Sequence, residues 1–228
     1  MRRRLPLLVA VLAAALTACG TGAAPSASPA DAPADAPVGT AGTGETREVG
    51  GFTGVELSTV GTLLIDRTGT ESLTIEAEPA VLPLLTSEVS GGVLRLGVAP
   101  GEEVATREPI VYRLTVAALD SLSVSGAGDA TATNLDTDRL VVDVDGAGDV
   151  TLSGTADTQV VTLGGAGDYD AGDLLSATVE ITVDGAGDAV VNASDRLDAT
   201  VGGAGSVEYV GDPQVTRDVS GVGSVEPR

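Results

Sequence analysis

The chain has 228 residues, a formal net charge of −21, and neither His, Lys nor Trp. Its 33 acidic side chains against 12 arginines repel phosphate, which excludes strong nucleic-acid binding. The lack of His excludes imidazole acid–base and metal-ligand chemistry, and aromatics at 2 % require an aliphatic core.

The first segment carries an export pattern. Arg2, Arg3 and Arg4 precede an apolar run from Leu5 to Leu16. That run is shorter than the about 20 residues a membrane-spanning helix needs, and fits the apolar region of a signal peptide. It ends Leu16-Thr17-Ala18-Cys19-Gly20. The order of positive, apolar and small residues before a Cys resembles the lipobox of bacterial lipoproteins. The resemblance implies a signal peptide over 1–18, cleaved before Cys19, with Cys19 as the lipid attachment site. The implied location is outside the cytoplasm, anchored to the cell membrane through the N-terminal lipid. Cys19 is the only Cys, so an intrachain disulfide and a thiol nucleophile elsewhere are both excluded. Removing 1–18 leaves nine arginines against 33 acids, a net charge of −24.

Residues 19–44 then read as the lipidated Cys and a tether. Small residues, Asp and Pro dominate, and too little apolar surface is present to offset ordering. Pro25, Pro29, Pro33 and Pro37 favour an extended chain. A single domain is expected over 45–228, with irregular coils at 45–120 and regular repeats at 121–228. In the irregular part, strands are expected at Gly54–Thr59, Thr62–Asp66, Ser72–Ala77, Gly92–Val98, Ile110–Val116 and Ser121–Ser125. Glu78–Thr86 is the one place for a short helical turn, and Ala99–Pro109 reads as an exposed loop.

The regular part is governed by Gly-Ala-Gly-Asp. It occurs at 126–129, 146–149, 165–168 and 185–188, then decays to Gly203-Ala204-Gly205-Ser206 and Gly221-Val222-Gly223-Ser224. The first glycine advances by 20, 19, 20, 18 and 18 residues, a mean of about 19, which signals a solenoid. Apolar residues alternate on both sides of each motif: Val142 and Val144 before the second, Val150 and Leu152 after it. That period of two marks strands with one buried face. The expected fold is therefore all-β, a parallel β-helix with coils of about 19 residues. Gly-x-Gly turns are expected at Gly126 and Gly128, Gly146 and Gly148, Gly165 and Gly167, Gly185 and Gly187, Gly203 and Gly205, and Gly221 and Gly223. Glycine is expected there because it admits conformations that a β-carbon penalises. Arg217 and Pro227 fall on formerly apolar positions and read as the end of the stack.

Asp129, Asp149, Asp168 and Asp188 should form a row along one edge, with Asp145 and Asp184 beside them. Neighbouring carboxylates about 4.8 Å apart repel by roughly 0.9 kcal/mol per pair in water. Either each carboxylate caps amides of its own turn, as Asp does in turns, or Ca²⁺ bridges the turns. The spacing departs from the Gly-Gly-x-Gly-x-Asp roll: Asp168 follows Gly167 directly, and the period is far longer than nine. Tyr112, Tyr169 and Tyr209 could offer a sugar-stacking platform, but Tyr169 and Tyr209 share the inward parity of the strands. Acidic pairs for glycan cleavage arise by chance in so acidic a chain, and no Lys is present to serve as a lyase base.

Several stretches also resemble the family described as putative auto-transporter adhesin, head GIN domain. They are Arg47-Glu48-Val49-Gly50-Gly51-Phe52-Thr53-Gly54-Val55-Glu56-Leu57, Leu73-Thr74-Ile75-Glu76-Ala77-Glu78, Gly91-Gly92-Val93-Leu94-Arg95-Leu96, and the glycine ladder. The resemblance spans about 47–226. It implies a right-handed, pectin-lyase-like β-helix and a surface protein with adhesion as its role, and it carries no catalytic residues. The expected function is a non-enzymatic, lipid-anchored envelope protein with no cofactor, presenting a solenoid surface to an envelope or surface ligand. The alternatives are a Ca²⁺-dependent glycan or matrix binder and, more distantly, a carbohydrate lyase or hydrolase.

Overall fold

The computed structural model describes residues 43–228. The signal segment, Cys19 and the tether up to residue 42 lie outside the described residues. The described part is an all-β solenoid of about five turns with coils of about 20 residues.

The regular coils follow directly from the alternation. Strands β1 (Thr43–Arg47), β2 (Gly54–Leu57), β3 (Gly61–Arg67), β4 (Ser72–Ala77), β5 (Leu85–Ser90), β6 (Val93–Val98), β7 (Val111–Val116) and β8 (Ser121–Val124) precede them. The coils themselves are β9 (Gly128–Val144), β10 (Val150–Leu163), β11 (Tyr169–Val183), β12 (Ala189–Val201), β13 (Val207–Val210), β14 (Gln214–Val219) and β15 (Val225–Pro227). Each long strand bends midway, so its first half lies on one face of the stack and its second half on the other. The first face runs β1-β4-β7-β3, then the first halves of β9 to β12, then β13 and β15. The second face runs β5-β6-β2-β8, then the second halves of β9 to β12, then β14.

Registers between coils bring like residues together. On the second face Leu96, Leu57, Val124, Val144, Leu163, Val183, Val201 and Val219 form one inward column. On the first face Tyr112, Leu63, Ala130, Val150, Tyr169, Ala189, Val207 and Val225 form another. Both columns are buried except at the last coil, where Val219 is exposed. Bulky Tyr169 lies between Val150 and the small Ala189, so volume is shared along the column. The midway bend takes unusual backbone at Asn134 (φ 58°) and Gly154 (φ 131°). At Gly154 a β-carbon would also stand 2.2 Å from the Leu135 carbonyl oxygen, so only glycine fits there.

The irregular half differs from expectation in three ways. First, β2 and β3 lie between the later β6–β7 and β8–β9 layers, so the chain builds inward from the second layer and the cap is added outside it. Second, β1, β4 and β5 pair antiparallel. Third, Leu85 opens β5, a strand the pattern did not show, directly after the short helical turn that Glu78–Thr86 holds at Leu82–Leu84. Thr43 and Gly44, placed in the tether by composition, are the first residues of β1. Arg47 stitches the two faces at this pole. It donates from Nη1 to the Leu85 carbonyl at 2.7 Å and from Nη2 to the Leu82 carbonyl at 2.9 Å.

Candidate functional site

The corners between β9 and β10, β10 and β11, and their successors stack the glycines of consecutive coils. Amides climb the stack: Ala147 donates to the Gly126 carbonyl at 3.1 Å, and Ala166 to Gly146 at 3.0 Å. None of the twelve ladder glycines has φ in the left-handed region. Their necessity has a different cause from the one expected. A β-carbon on Gly146, Gly165, Gly185, Gly203 or Gly221 would stand 1.9 Å from the carbonyl oxygen of the corresponding glycine below. The same holds for Gly148, Gly167, Gly187, Gly205 and Gly223, at 1.8 to 2.0 Å. Gly126 meets Thr59 O at 2.2 Å, and Gly128 meets Gly61 O at 2.7 Å. Corner backbones therefore approach closely enough to exclude any side chain.

The Asp row also behaves differently from expectation. Each carboxylate serves the next coil rather than its own turn. Asp129 Oδ1 accepts the Asp149 amide at 3.1 Å, Asp149 Oδ1 that of Asp168 at 3.0 Å, and Asp168 Oδ1 that of Asp188 at 2.9 Å. Asp188 Oδ1 accepts the Ser206 amide at 2.8 Å, and there the relay stops. A charged acceptor on a backbone amide is among the stronger hydrogen bonds, and it offsets the mutual repulsion of the row. All four carboxylates are exposed, and in each it is Oδ1 that accepts the relay amide. Among the described residues no three acidic or thiol side chains converge at metal-holding distance.

The tyrosines form no platform. Tyr112 and Tyr169 are fully buried, and Tyr209 packs half-buried against the core. Burial pushes the Tyr112 phenol up to about 12, with Thr59 and Arg47 opposing the shift. Burial raises Tyr169 further, against the buried Gln159 side chain that donates to its hydroxyl.

Two acidic side chains that sequence reasoning did not single out act as loop clamps. Glu71 accepts the amides of Gly51 and Phe52 at 3.0 and 3.3 Å, holding the approach to β2. Glu78 accepts the amides of Arg107 at 2.7 Å and Glu108 at 3.0 Å, holding the long 99–109 loop. These amides, that of Arg107 foremost, keep the Glu78 carboxyl below its ordinary 4.5. The clamp is therefore complete above the ordinary carboxylate range and is released as pH falls through the depressed value. The Arg107 and Glu108 amide protons should titrate together, by NMR, with a midpoint below 4.5. Glu78→Ala should abolish that titration. A midpoint at or above the ordinary value would contradict the clamp.

The flanks offer shallow concavities. One of about 340 Å³ lies on the first face over Leu64, Asp66, Thr74, Arg113 and Thr131. Another of about 330 Å³ lies on the second face around Glu56, Glu88 and Arg95. Their arginines are already engaged: Arg113 with Glu76 at 2.7 Å and Arg95 with Glu56 at 3.0 Å. Such exposed pairs contribute little to stability.

A family model described as putative auto-transporter adhesin, head GIN domain, matches residues 51–213. The chain belongs to this family. The GIN-domain chain is also similar to the crystal structure of a putative adhesin from Bacteroides fragilis. The identity is 27%, the TM-score 0.69, and the match covers 82% of this chain and 96% of that one. A putative adhesin from Parabacteroides distasonis shares the fold at 20% identity and a TM-score of 0.53, over 82% of this chain and 96% of that one. No curated protein matches. Neither the family nor these neighbours carry a known catalytic role, and the family implies a surface or exported protein.

Proposed function

We propose that the GIN-domain chain is a non-enzymatic lipoprotein of the cell envelope, anchored through Cys19, whose solenoid flanks make adhesive or envelope contacts. The observation that carries this reading is the place where the chain enters the fold. β1 is the outermost strand of the first face at the pole opposite β15, so an anchor upstream of Thr43 joins the domain at one end. The lipobox ending in Cys19, the acidic surface and the adhesin family support the same reading.

Replacing Cys19 with Ala is expected to shift the chain from the membrane pellet to the soluble fraction of fractionated cells. Unchanged fractionation would remove the anchor from the proposal. Turnover of an envelope glycan by the purified chain, abolished by a single carboxylate substitution, would overturn the non-enzymatic part.

A further inference from the structure

The aliphatic interior of the regular coils gives way to polar groups between β10 and β11. Gln159 and Ser176 are fully buried there, and both belong to the inward set of their strands. Neighbouring coils place apolar residues at these positions. Leu140, Val179, Leu197 and Val215 share the register of Gln159, and Ala156 and Ala193 flank Ser176. Among the described residues, Gln159 Oε1 and Ser176 Oγ have no hydrogen-bond partner. Gln159 Nε2 donates to the Tyr169 hydroxyl, which keeps its own proton to give. Turning the amide over does not close the account: Oε1 would then take the tyrosine proton, and Nε2 would be the open end.

Register brings the three groups to one end of the core. Ser176 pairs with Ala156, and further along the same two strands Val179 pairs with Gln159. Gln159 and Ser176 therefore line adjacent coils close to the midway bend. Tyr169 enters from the first face, and its hydroxyl reaches Gln159 across the interior. The side chains nearby are small: Ala156, Ala171 and Ala193 are all buried. A buried polar atom left open is costly, and native interiors close such gaps with protein groups or with an ordered water. A water needs a few polar partners and space for one probe sphere. The open ends of Gln159, Ser176 and Tyr169 supply the partners, and the alanines supply the space.

We propose that Gln159, Ser176 and Tyr169 form a binding site for one internal water between the β10 and β11 coils. The water donates to Gln159 Oε1, accepts the Tyr169 proton and shares its remaining bond with Ser176 Oγ. It joins the first face, through Tyr169, to the second, through Gln159 and Ser176.

The test pairs a high-resolution crystal structure of the unaltered chain with oxygen-17 relaxation dispersion in solution. The second method counts long-lived water molecules and is blind to exchanging hydroxyl protons. The density should show one water about 2.7–3.2 Å from Gln159 Oε1, Ser176 Oγ and the Tyr169 hydroxyl. Gln159→Leu combined with Tyr169→Phe and Ser176→Ala makes the site apolar at similar volume, and should hold one long-lived water fewer. A dry gap in the density, or Gln159 and Ser176 bonded directly to each other, would overturn the proposal. Equal water counts in the two chains would overturn it as well. If the triple variant does not fold, the density of the unaltered chain decides alone.

Discussion

Gly165→Val is expected to unfold the regular coils rather than merely soften them. The first side-chain carbon would stand 1.9 Å from Gly146 O, with two further backbone atoms within 3 Å. No rotamer relieves a clash made by the β-carbon itself. The coils would have to part at the corner, which breaks amide bonds along the stack and opens the aliphatic columns beside it. A cost beyond about 4–5 kcal/mol belongs to this kind of enforced overpacking. For a domain of this size that corresponds to a melting temperature lower by roughly 10 °C or more, or to no cooperative transition. The control is one residue away. Ala166 points outward between the two glycines, and the last coil already carries Val222 there, 86% exposed. Ala166→Val should therefore change stability by less than about 0.5 kcal/mol. Equal melting of the two variants would refute the close-approach account.

Asp168→Ala is expected to cost about 0.5–1.5 kcal/mol, because the exposed Asp188 amide exchanges its carboxylate acceptor for water. The loss should be local at first. Hydrogen exchange should quicken at the Asp188 amide, while the Asp168 amide stays protected by Asp149. Asp168→Asn keeps an oxygen at the same place without its charge. It should retain much of the stability, since a neutral acceptor is roughly half as strong but the row is relieved of one repulsion. Exchange at Asp188 that is unchanged in the Ala variant would show that the relay carries no stability. An own-turn cap would instead expose amides within residues 165–168, so the exchange pattern separates the two arrangements.

The sequence made the regular half of this fold legible because two periods reinforce each other there. Alternation assigned Val142, Val144, Val161 and Leu163 to the interior, and the glycine spacing assigned the coil. The cap was harder for physical reasons. β1 and β5 are edge strands with mostly polar residues, so neither shows an apolar face. The placement of β2 and β3 between later layers depends on pairings between distant segments, which no local pattern encodes. The motif spacing pointed to glycines and aspartates at the corners, but not to their mechanism. Both act between coils, through a carbonyl approaching from below and an amide arriving from above. A single coil read alone contains neither partner. Arg217 and Pro227 were legible because they break the alternation, while the bond from Arg217 to the Val225 carbonyl joins two strands that no local pattern brings together. The clamps by Glu71 and Glu78 join segments 19 to 30 residues apart, beyond the reach of turn rules.

The relay between Asp129 and Ser206 makes each of the Asp149, Asp168 and Asp188 coils both a receiver and a donor of the same bond. A coil therefore has matching upper and lower surfaces, and the unit that fits between two others is one whole repeat. Loss or gain of a complete coil leaves every remaining amide with an acceptor and both poles intact. Loss of half a coil exchanges the faces and strands the relay. Length in this domain is thus quantised: unequal duplication can lengthen or shorten the flank in steps of one coil, while the irregular coils before it remain the same.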